Sequence, residues 1–469
     1  MKRIRGYAFM LIFLVALCGC KITGTITDPA TGEPVEGVSV KVTSYYGPLT
    51  AQDPIHFEPI YSTKTDSNGK YTISSWFSKK EGYVLVEYSK EGYDLFPPRK
   101  NVPANGEQIQ NSFAVKLENP EVYNGDITIS GDEDLHLISE YSTVTKSLTL
   151  SGLNVADLSA LSNLKAVMGR LIISENPGLI NLDGLNGLRT IGSEILVKSN
   201  PALEALTDFS NLRFGSMIVE DNGSLKHLSG LDLSKAQNCN VEICFNPMLE
   251  NLTGLSVPEH PGRLWIMDND GLKDLAGIVV PSEFSGSMLI SSQSGMTLHG
   301  IENLTSVGGI SIRGQISDIG AMQNLENANR IGISDNPVIE DLSVFSNIKS
   351  LDRLMIFNAD RLVNLDVFEN IETLEDFYVG GCAGIETLHV FKNIEHLRRL
   401  TVEKNDRLFE LGLDNLKDVK DDWPSSTYLK ITDNPQLCTS LAEELVAHLD
   451  DPDRKNFYIT IEGNKDCSQ

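Results

Sequence analysis

The stretch that decides the fold is Leu171–Leu188, which reads LIISENPGLINLDGLNGL. If its first residue is position 0, apolar residues fall at positions 0, 2, 8, 11, 14 and 17, and an asparagine lies at position 5. The pattern recurs along most of the chain, with starts at Ile127, Leu148, Leu171, Ile195, Met217, Val241, Leu264, Met288, Ile310, Ile331, Leu354, Phe377, Leu400, Leu429 and Ile459. The starts are 21 to 24 residues apart until the last two steps, which are 29 and 30 residues. Such a period predicts a solenoid in which each repeat forms one strand and one return coil.

Each position of the repeat has a physical reason. Side chains at positions 0 and 2 point the same way on a strand, into the solenoid, whereas positions 1 and 3 point outward. Position 5 turns the chain out of the strand, and a side-chain amide there can satisfy backbone groups left unpaired at the corner. Asparagine fills position 5 at Asn176, Asn200, Asn222, Asn246, Asn269, Asn336, Asn405, Asn434 and Asn464. Stacked coils therefore predict an internal asparagine ladder, with Cys382 in the equivalent place of its own coil.

The chain begins with a targeting segment. Three basic residues among the first five precede an apolar run over Tyr7–Leu17, which is too short to span a bilayer as a helix. We therefore predict a signal peptide over residues 1–19. It ends at Leu17-Cys18-Gly19-Cys20, which resembles a bacterial lipobox, and this resemblance implies a lipidated Cys20 that anchors the protein to a membrane. An ordinary signal peptide followed by a disulfide-bonded cysteine is the alternative.

Residues 21–118 have a different pattern, in which short alternating strands are separated by Gly, Pro and Asn-Gly turns. This pattern predicts a small β-sandwich. Two blocks, Thr31-Gly32-Glu33-Pro34-Val35-Glu36-Gly37 and Thr65-Asp66-Ser67-Asn68-Gly69-Lys70-Tyr71, resemble the carboxypeptidase regulatory-like domain, a prealbumin-like sandwich common in Bacteroidota surface proteins. The resemblance implies no catalytic zinc site, and a role as a rigid spacer between the anchor and the solenoid.

Residues 119–469 resemble bacterial leucine-rich repeat proteins and the receptor L domain, in phrases such as Leu182-Asp183-Gly184-Leu185. The resemblance implies a mainly β chain that ends in a right-handed solenoid of about 15 coils. The pattern is compatible with two shapes, a β-helix-like stack and a curved horseshoe. The coil that starts at Ile310 is short and has Gln315 near the asparagine position. That irregularity indicates either a continuous but uneven stack, which we favour, or a boundary between two L-like domains.

The C-terminal coils predict a cap. Ser440-Leu441-Ala442-Glu443 has the form of a capping box and opens a short helix with apolar residues at helical spacing. Cys438 and Cys467 occupy neighbouring positions of adjacent coils, close to the separation that a disulfide requires, and we predict that they are bonded. Two free buried thiols are the alternative. Cys239 and Cys244 are not paired, because Cys244 falls at an outward position.

The sequence carries no recognisable catalytic signature. It contains no P-loop, no H-E-x-x-H, no G-x-S-x-G and no Cys-x-x-Cys pair. His227 and His299 fall at or near apolar positions and have no metal-ligand spacing. The formal net charge of −25 disfavours binding to nucleic acid, which is itself polyanionic. We therefore expect no enzyme activity, no cofactor, no metal and no nucleic-acid partner.

The outward positions are more informative than the motifs. They are small and polar at both ends of the solenoid, whereas the middle carries apolar side chains. Exposed apolar residues grouped on one sheet mark contact surfaces, and aromatic residues are their usual anchors. The candidate binding face comprises Trp265, Met267, Met355, Phe357 and Tyr378, with Ile172, Leu196, Ile218 and Leu289 beside them. The alternative is that another segment covers these residues or that they belong to the core.

Two functions remain from this sequence. The first is an extracytoplasmic lipoprotein that binds a protein, peptide or glycan through its solenoid face. The second is a structural spacer or envelope-complex subunit without a small ligand. We expect it in the cell envelope, as an outer-membrane lipoprotein. The residues after Cys20, Lys21-Ile22-Thr23-Gly24, lack the acidic run associated with surface export, so the periplasmic side and the cell surface both remain open.

Overall fold

The computed structural model describes residues 20–44, 61–75, 83–96, 99–103, 108–116, 121–210, 212–213, 215–234, 236, 239–258, 261–419, 427–449 and 457–467. The predicted signal peptide and the side chain of Cys20 lie outside the described residues. The chain divides into two compact units, Met1–Val122 and Tyr123–Gln469. Among the helices of the described residues, none combines the length and the apolar character needed to cross a bilayer.

The described part of the first unit, up to Lys116, contains eight strands. They are β1 (Cys20–Thr27), β2 (Ser39–Ser44), β3 (Tyr61–Lys64), β4 (Lys70–Ser75), β5 (Tyr83–Ser89), β6 (Tyr93–Phe96), β7 (Arg99–Pro103) and β8 (Gln108–Lys116). They form two four-stranded sheets, in the orders β4-β1-β8-β6 and β3-β2-β5-β7. The two sheets share one apolar core. Ile22 of β1, in the first sheet, and Val40 of β2, in the second, are both fully buried in it. The hydroxyl oxygens of Tyr71 and Tyr88 lie 2.8 Å apart and join strands of the two sheets.

The turns of this unit use the residues that the sequence pattern indicated. The Asp66 carboxylate accepts hydrogen bonds from the backbone N–H groups of Asn68 and Lys70. Gly69 follows with a φ of 65°, and an added Cβ would lie 2.3 Å from the carbonyl oxygen of Ile26. Only glycine fits this turn, because it tolerates a left-handed backbone and leaves room for the neighbouring strand.

The strands that follow are short until the middle of the solenoid. They are β9 (Val122–Tyr123), β10 (Ile127–Ile129), β11 (Thr143–Val144), β12 (Leu148–Ser151), β13 (Ala166–Val167), β14 (Leu171–Ser174), β15 (Thr190–Ile191), β16 (Glu194–Lys198), β17 (Ser216–Glu220), β18 (Asn240–Cys244), β19 (Arg263–Met267), β20 (Glu283–Thr297), β21 (Ser306–Asp318), β22 (Asn327–Ser334), β23 (Ser350–Phe357), β24 (Thr373–Gly380), β25 (His396–Leu397), β26 (Arg399–Glu403), β27 (Asp418–Val419), β28 (Thr427–Thr432) and β29 (Phe457–Glu462). Short 3-10 helices occupy Asp132–Leu137, Ser159–Leu161, Gly320–Met322, Ser343–Phe345, Asp366–Phe368 and His389–Phe391, and the α-helix α1 spans Thr439–His448.

The second unit is a β-solenoid built on one long sheet. Fifteen strands pair in parallel in the order β10-β12-β14-β16-β17-β18-β19-β20-β21-β22-β23-β24-β26-β28-β29. Every predicted repeat start pairs with the next, from Ile127 with Leu148 to Leu429 with Ile459. The pairing continues through Ile310, so the short coil does not interrupt the stack.

The number of turns is smaller than expected from the sequence. We expected about 15 coils, whereas the solenoid makes about 13 turns. The count of repeat starts overstates the count of turns, because the last strand begins no further coil and the coil before it contains α1. Smaller sheets form a second side of the solenoid, in the orders β15-β13-β11-β9 and β25-β27.

The core follows the repeat positions. Within Leu171–Leu188, the six apolar positions are each at most 2% exposed, and Asn176 is fully buried. The buried apolar residues of successive coils belong to one continuous cluster from Ile127 to Leu449. No coil could bury this surface alone, so the packing of each coil on its neighbours supplies the hydrophobic stabilisation.

A left-handed corner precedes position 5, and the sequence analysis did not identify it. Position 4 has a positive φ in most coils, at the non-glycine residues Glu175, Ser199, Asp221, Phe245, Asp268, Asp335, Asn358, Lys404 and Asp433 and at the glycines Gly152, Gly314, Gly381 and Gly463. A non-glycine residue in this region costs roughly 1 kcal/mol or more. The backbone hydrogen bonds made at position 5 offset that cost. Ser292, at position 4 of the coil that starts at Met288, does not have a positive φ.

The C-terminal helix differs from the prediction. It begins one residue before the expected capping box, and its N-cap residue is Cys438, with no side-chain capping bond. A bridge between Cys438 and Lys465 and the disulfide to Cys467 hold this end of the helix instead. Of the apolar residues at helical spacing, Leu449 is buried and Leu441 remains 37% exposed.

Candidate binding face

The asparagine ladder aligns the strands that carry the candidate face. Asn176, Asn200, Asn222, Asn246 and Asn269 lie in one column. In each of the four steps, the backbone N–H and the Nδ2 of one asparagine both donate to the Oδ1 of the next, at 2.9 to 3.2 Å. Each Nδ2 also donates to a carbonyl of the preceding coil, as Asn222 does to Val197 at 3.1 Å. The ladder thus satisfies the backbone groups that the left-handed corner removes from the sheet.

The ladder stops after Asn269 and resumes later in the solenoid. Asn336 donates to Ile316, but its Oδ1 accepts the N–H groups of Val338 and Ile339 in its own turn rather than those of another asparagine. The second part runs Cys382–Asn405–Asn434–Asn464, with the Cys382 N–H donating to the Asn405 Oδ1 at 3.1 Å. Five strands, β20 to β24, lie between the two parts, and the first two of them, β20 and β21, are 15 and 13 residues long.

The structure places the five face residues on the outer surface of the long sheet, in two separate patches. The first patch contains Trp265 and Met267 of β19, both half-buried, beside the half-buried Leu289. The guanidinium of Arg263 lies 4.6 Å from the centre of the Trp265 ring, a cation–π arrangement. Arg263 also pairs with Glu242, at 3.6 Å between Nη1 and Oε1.

The second patch contains Met355 and Phe357 of β23 and Tyr378 of β24. Met355 is 40% exposed, and Phe357 and Tyr378 are half-buried with their ring centres 6.0 Å apart. The Tyr378 hydroxyl donates to the Glu403 carboxylate at 2.6 Å. These side chains have the mixed character of interface anchors, since their apolar surfaces are accessible and their positions are held by neighbours.

Small residues separate the two patches. Ser311 of β21 and Gly332 of β22 occupy position 1 between Leu289 and Met355, and a Cβ added at Gly332 would lie 3.1 Å from the Ser311 Oγ. Trp265 and Met355 are four strands apart, which is about 19 Å at the usual strand spacing of about 4.8 Å. The face therefore has two apolar patches, and the strip between them carries Ser311, Gly332 and the exposed side chain of Arg313, which pairs with Asp335 at 3.0 Å between Nη2 and Oδ2.

Charged residues border the second patch. Asp376 is 5% exposed and accepts hydrogen bonds from Arg353 and Arg398, at 2.7 and 2.6 Å from their Nη2 atoms. Burial alone would raise the pKa of Asp376, but hydrogen bonds and charge from Arg398 and Arg353 outweigh it and hold this pKa below its usual value. The pKa of Glu403 is also lowered. Burial would raise it, but hydrogen bonds from Lys430 and Tyr378 and the charge of Lys430 outweigh that effect.

The cysteines fall into two groups. Cys438 and Cys467, which the sequence analysis paired, are joined by a disulfide with a Cα–Cα distance of 5.5 Å. Cys239, Cys244 and Cys382 are free and buried. Cys244 was expected to point outward into solvent and is only 4% exposed, because its small side chain lies among larger neighbours on the sheet. Burial raises the pKa of the thiols of Cys239 and Cys244 to about 11 and about 12, so both are protonated at neutral pH.

Histidines and carboxylates form no recognisable reaction centre in the part of the chain that the structure describes. No group of three or more His, Cys, Asp or Glu side chains there could hold a metal ion. His299 is exposed and pairs with Glu302, three residues on. His227 is half-buried, and its Nδ1 has no hydrogen-bond partner. These placements fit structural or surface roles for the histidines.

Sequence reasoning missed a second series of asparagines, on the outside of the coils. The Nδ2 atoms of these residues donate to carbonyls of the preceding coil, at Asn163 to Ser139, Asn303 to Val280, Asn324 to Glu302, Asn393 to Glu369 and Asn415 to Lys392. The recurring Asn-Leu and Asn-Ile pairs before the strands were the available signal. We call this series the outer ladder.

Comparison with known proteins adds no family to this description. No protein-family model matches the chain, and no curated protein matches it.

Proposed function

We propose that this chain is a membrane-anchored extracytoplasmic binding lipoprotein. In this proposal Cys20 carries the lipid, residues 21–118 form a prealbumin-like sandwich that acts as a spacer, and a right-handed leucine-rich-repeat-like solenoid presents the binding face. The parallel sheet supports the handedness, since crossovers between parallel strands are almost always right-handed. The partner is a protein or a glycan, in the cell envelope, and the chain has no catalytic role.

One observation carries the binding role. Two patches of accessible aromatic and methionine side chains lie on the same sheet surface, where a cation–π contact positions Trp265 and a hydrogen bond to Glu403 positions Tyr378. Large apolar side chains that are accessible and positioned in this way are characteristic of recognition surfaces. A purely structural sheet surface would be expected to carry small polar residues, as Thr128 and Thr149 do near the start of the solenoid.

The test compares two pairs of substitutions in the full chain. Trp265→Ala combined with Phe357→Ala removes one anchor from each patch, and Thr128→Ala combined with Thr149→Ala alters the polar end of the same sheet. The ligand screen uses arrayed glycans and purified extracellular-matrix proteins, and binding is read as a ligand-dependent rise in melting temperature. We expect the first pair to abolish the rise and the second to preserve it. If the first pair instead lowers the free energy of unfolding by several kcal/mol, the patches are buried structure and the proposal is wrong.

The anchor is tested separately. Cys20→Ser should abolish the incorporation of radiolabelled fatty acid and release the protein from the membrane fraction. Protease treatment of intact cells then distinguishes the cell surface from the periplasm, because only a surface-exposed chain is cleaved. A Cys20→Ser protein that still incorporates the label would contradict lipidation at this residue.

A structural spacer is the second candidate function. The observation that favours it is the continuous parallel pairing of strands from β10 to β29, which joins the coils into one stack. A spacer should show no melting shift with any arrayed ligand. The combined Trp265→Ala and Phe357→Ala substitutions would then not change the response of the melting temperature to any ligand.

A further inference from the structure

A polar cleft opens between two coils upstream of the candidate face. β21 and β22 pair from Ser306 and Asn327 onward, and β23 and β24 pair from Ser350 and Thr373 onward. Between them, β22 and β23 pair only from Arg330 and Arg353. The first halves of β22 and β23 are therefore separated, although each is paired on its other side.

The separation creates a cavity of about 630 Å³. This volume lies within the range of about 300–1,000 Å³ that is usual for small-molecule sites. Its polar lining comes from the two coils, with Glu326, Asn327 and Asn329 on one side and Asn347, Lys349 and Asp352 on the other. The cleft is distinct from the candidate face, because on β22 and β23 its lining residues precede Arg330 and Arg353, whereas Met355 and Phe357 follow Arg353.

The outer ladder gives independent evidence that polar groups are available here. Asn324 donates to the carbonyl of Glu302 in the preceding coil, as other members of the series do. Asn347, the next member, makes no hydrogen bond with any described residue, and Asn370 after it makes none either. Asn347 instead lines the cleft, so its amide is free to bind a ligand.

The charged side chains of the cleft also have no ion-pair partner among the described residues. Glu326, Lys349 and Asp352 are absent from the ion pairs formed among the described residues. Two carboxylates and one ammonium group disfavour an anionic ligand, and the lining offers little apolar surface to a hydrophobic one. Amides and carboxylates each present two adjacent polar atoms, which match the neighbouring hydroxyl groups of a sugar ring.

We propose that the cleft between β22 and β23 binds a short neutral oligosaccharide through Asn327, Asn347 and Asp352. The amide nitrogens donate to sugar oxygens, and the Asp352 carboxylate accepts from sugar hydroxyls. This inference goes beyond the proposed function, since it assigns a second site and does not require the aromatic patches to bind anything.

The experiment measures binding of the full chain, in detergent, to an array of neutral and uronate-containing oligosaccharides, followed by titration calorimetry with the best neutral ligand. Asn347→Asp and Asp352→Asn change the chemistry of the cleft at constant shape. We expect each substitution to weaken binding by about tenfold, the effect of one lost ligand hydrogen bond. Asn415→Asp is the matched control, because it alters an outer-ladder amide that already donates to Lys392. It should lower stability and leave the affinity unchanged.

The outcomes separate the cleft from the face. Binding that is lost in the cleft variants and retained in the Trp265→Ala and Phe357→Ala pair supports the proposal. Binding that is lost only in the aromatic pair places the saccharide on the face, which overturns the cleft proposal and keeps the proposed function. The proposal is also overturned if no neutral oligosaccharide binds, if only uronate-containing ones bind, or if both cleft variants bind normally. Thermal melting of each variant shows that it is folded.

Discussion

The coils from Leu171 to Asn269 and those from Met288 to Asn358 share one apolar pattern but close their corners differently. In the first group, asparagines bond to one another through four successive steps. In the second group, Asn336 bonds within its own turn and no ladder forms. We call these the laddered coils and the interrupted coils.

The two groups of coils show that the apolar core and the corner contribute to the stack independently. Positions 0 and 2 remain buried in both groups, so the stack continues without a break. The corner asparagines add hydrogen bonds between neighbouring coils just beyond the ends of the strands. Where the ladder is absent, β20 and β21 run on past the corner, whereas the polar cleft lies at the opposite end of the strands, before the paired parts of β22 and β23. The second patch of the candidate face and the proposed cleft both lie on or beside the interrupted coils.

The largest expected effect comes from removing a ladder amide. Asn222→Ala deletes side-chain hydrogen bonds to Asn200, Val197 and Asn246 and leaves buried backbone groups unpaired. We expect a loss of about 3 kcal/mol in the free energy of unfolding, measured by urea denaturation. Asn336→Ala in the interrupted coils should cost about half as much, because that residue bonds mainly within its own turn. Equal losses of unfolding free energy in the two variants would show that the laddered and the interrupted coils do not differ in this way.

A smaller effect is expected in acid, and it should be local. Asp376 has a folded-state pKa below its usual value of 3.8, so the stability that it contributes is present above pH 3.8 and is lost as the pH falls toward the folded-state pKa. Strands β23, β24 and β26 should therefore loosen in acid before the laddered coils, whose amides do not titrate.

Asp376→Asn tests this acid effect. It should cost about 1–2 kcal/mol at pH 7, because Arg353 and Arg398 lose their shared carboxylate. It should also flatten the dependence of stability on pH below 3.8. Circular dichroism melts from pH 2 to pH 7 measure both effects. An unchanged acid profile would show that another group is responsible.

The smallest expected effect is a gain. The sulfur of Cys382 takes the ladder position, where it donates weakly to Gly380 at 3.4 Å while its backbone N–H donates to Asn405. Cys382→Asn supplies the amide found at the neighbouring steps and should stabilise the fold by about 0.5–1 kcal/mol. Differential scanning calorimetry should show a higher melting temperature. A lower one would mean that this corner cannot accept the asparagine geometry.

Much of the solenoid could be predicted from the sequence, because its repeat is strictly spaced. The fifteen starts, the column Asn176–Asn269 and the Cys438–Cys467 pair all follow from residues that recur at fixed positions. The left-handed corner left a signal in the sequence that was missed, since position 4 is most often glycine, aspartate or asparagine, the residues that favour this backbone conformation. Only at residues such as Glu175, Phe245 and Lys404 do the neighbouring coils impose the corner against local preference.

The candidate site was less predictable than the fold. The outward positions identified the face residues, but they could not show the cation–π contact of Arg263 with Trp265 or the hydrogen bond of Tyr378 to Glu403. The cleft had no sequence signal, because it arises from two strands that fail to pair over residues 327–329 and 350–352. The asparagines that line the cleft are the same residue type as the asparagines that donate hydrogen bonds in other coils, so the sequence does not distinguish them. Only the geometry separates Asn347 from Asn324.

Residue-resolved hydrogen exchange of the full chain tests most directly whether the corner amides decide where the stack is tightly held. The backbone N–H groups of Asn176, Asn200, Asn222 and Asn246 donate to buried asparagine oxygens and should exchange only through global unfolding. The backbone N–H group of Asn336, at the same position of an interrupted coil where no ladder forms, should exchange at least about a hundredfold faster, through local opening. Fast exchange at the ladder asparagines, or the same protection at both sites, would contradict the account.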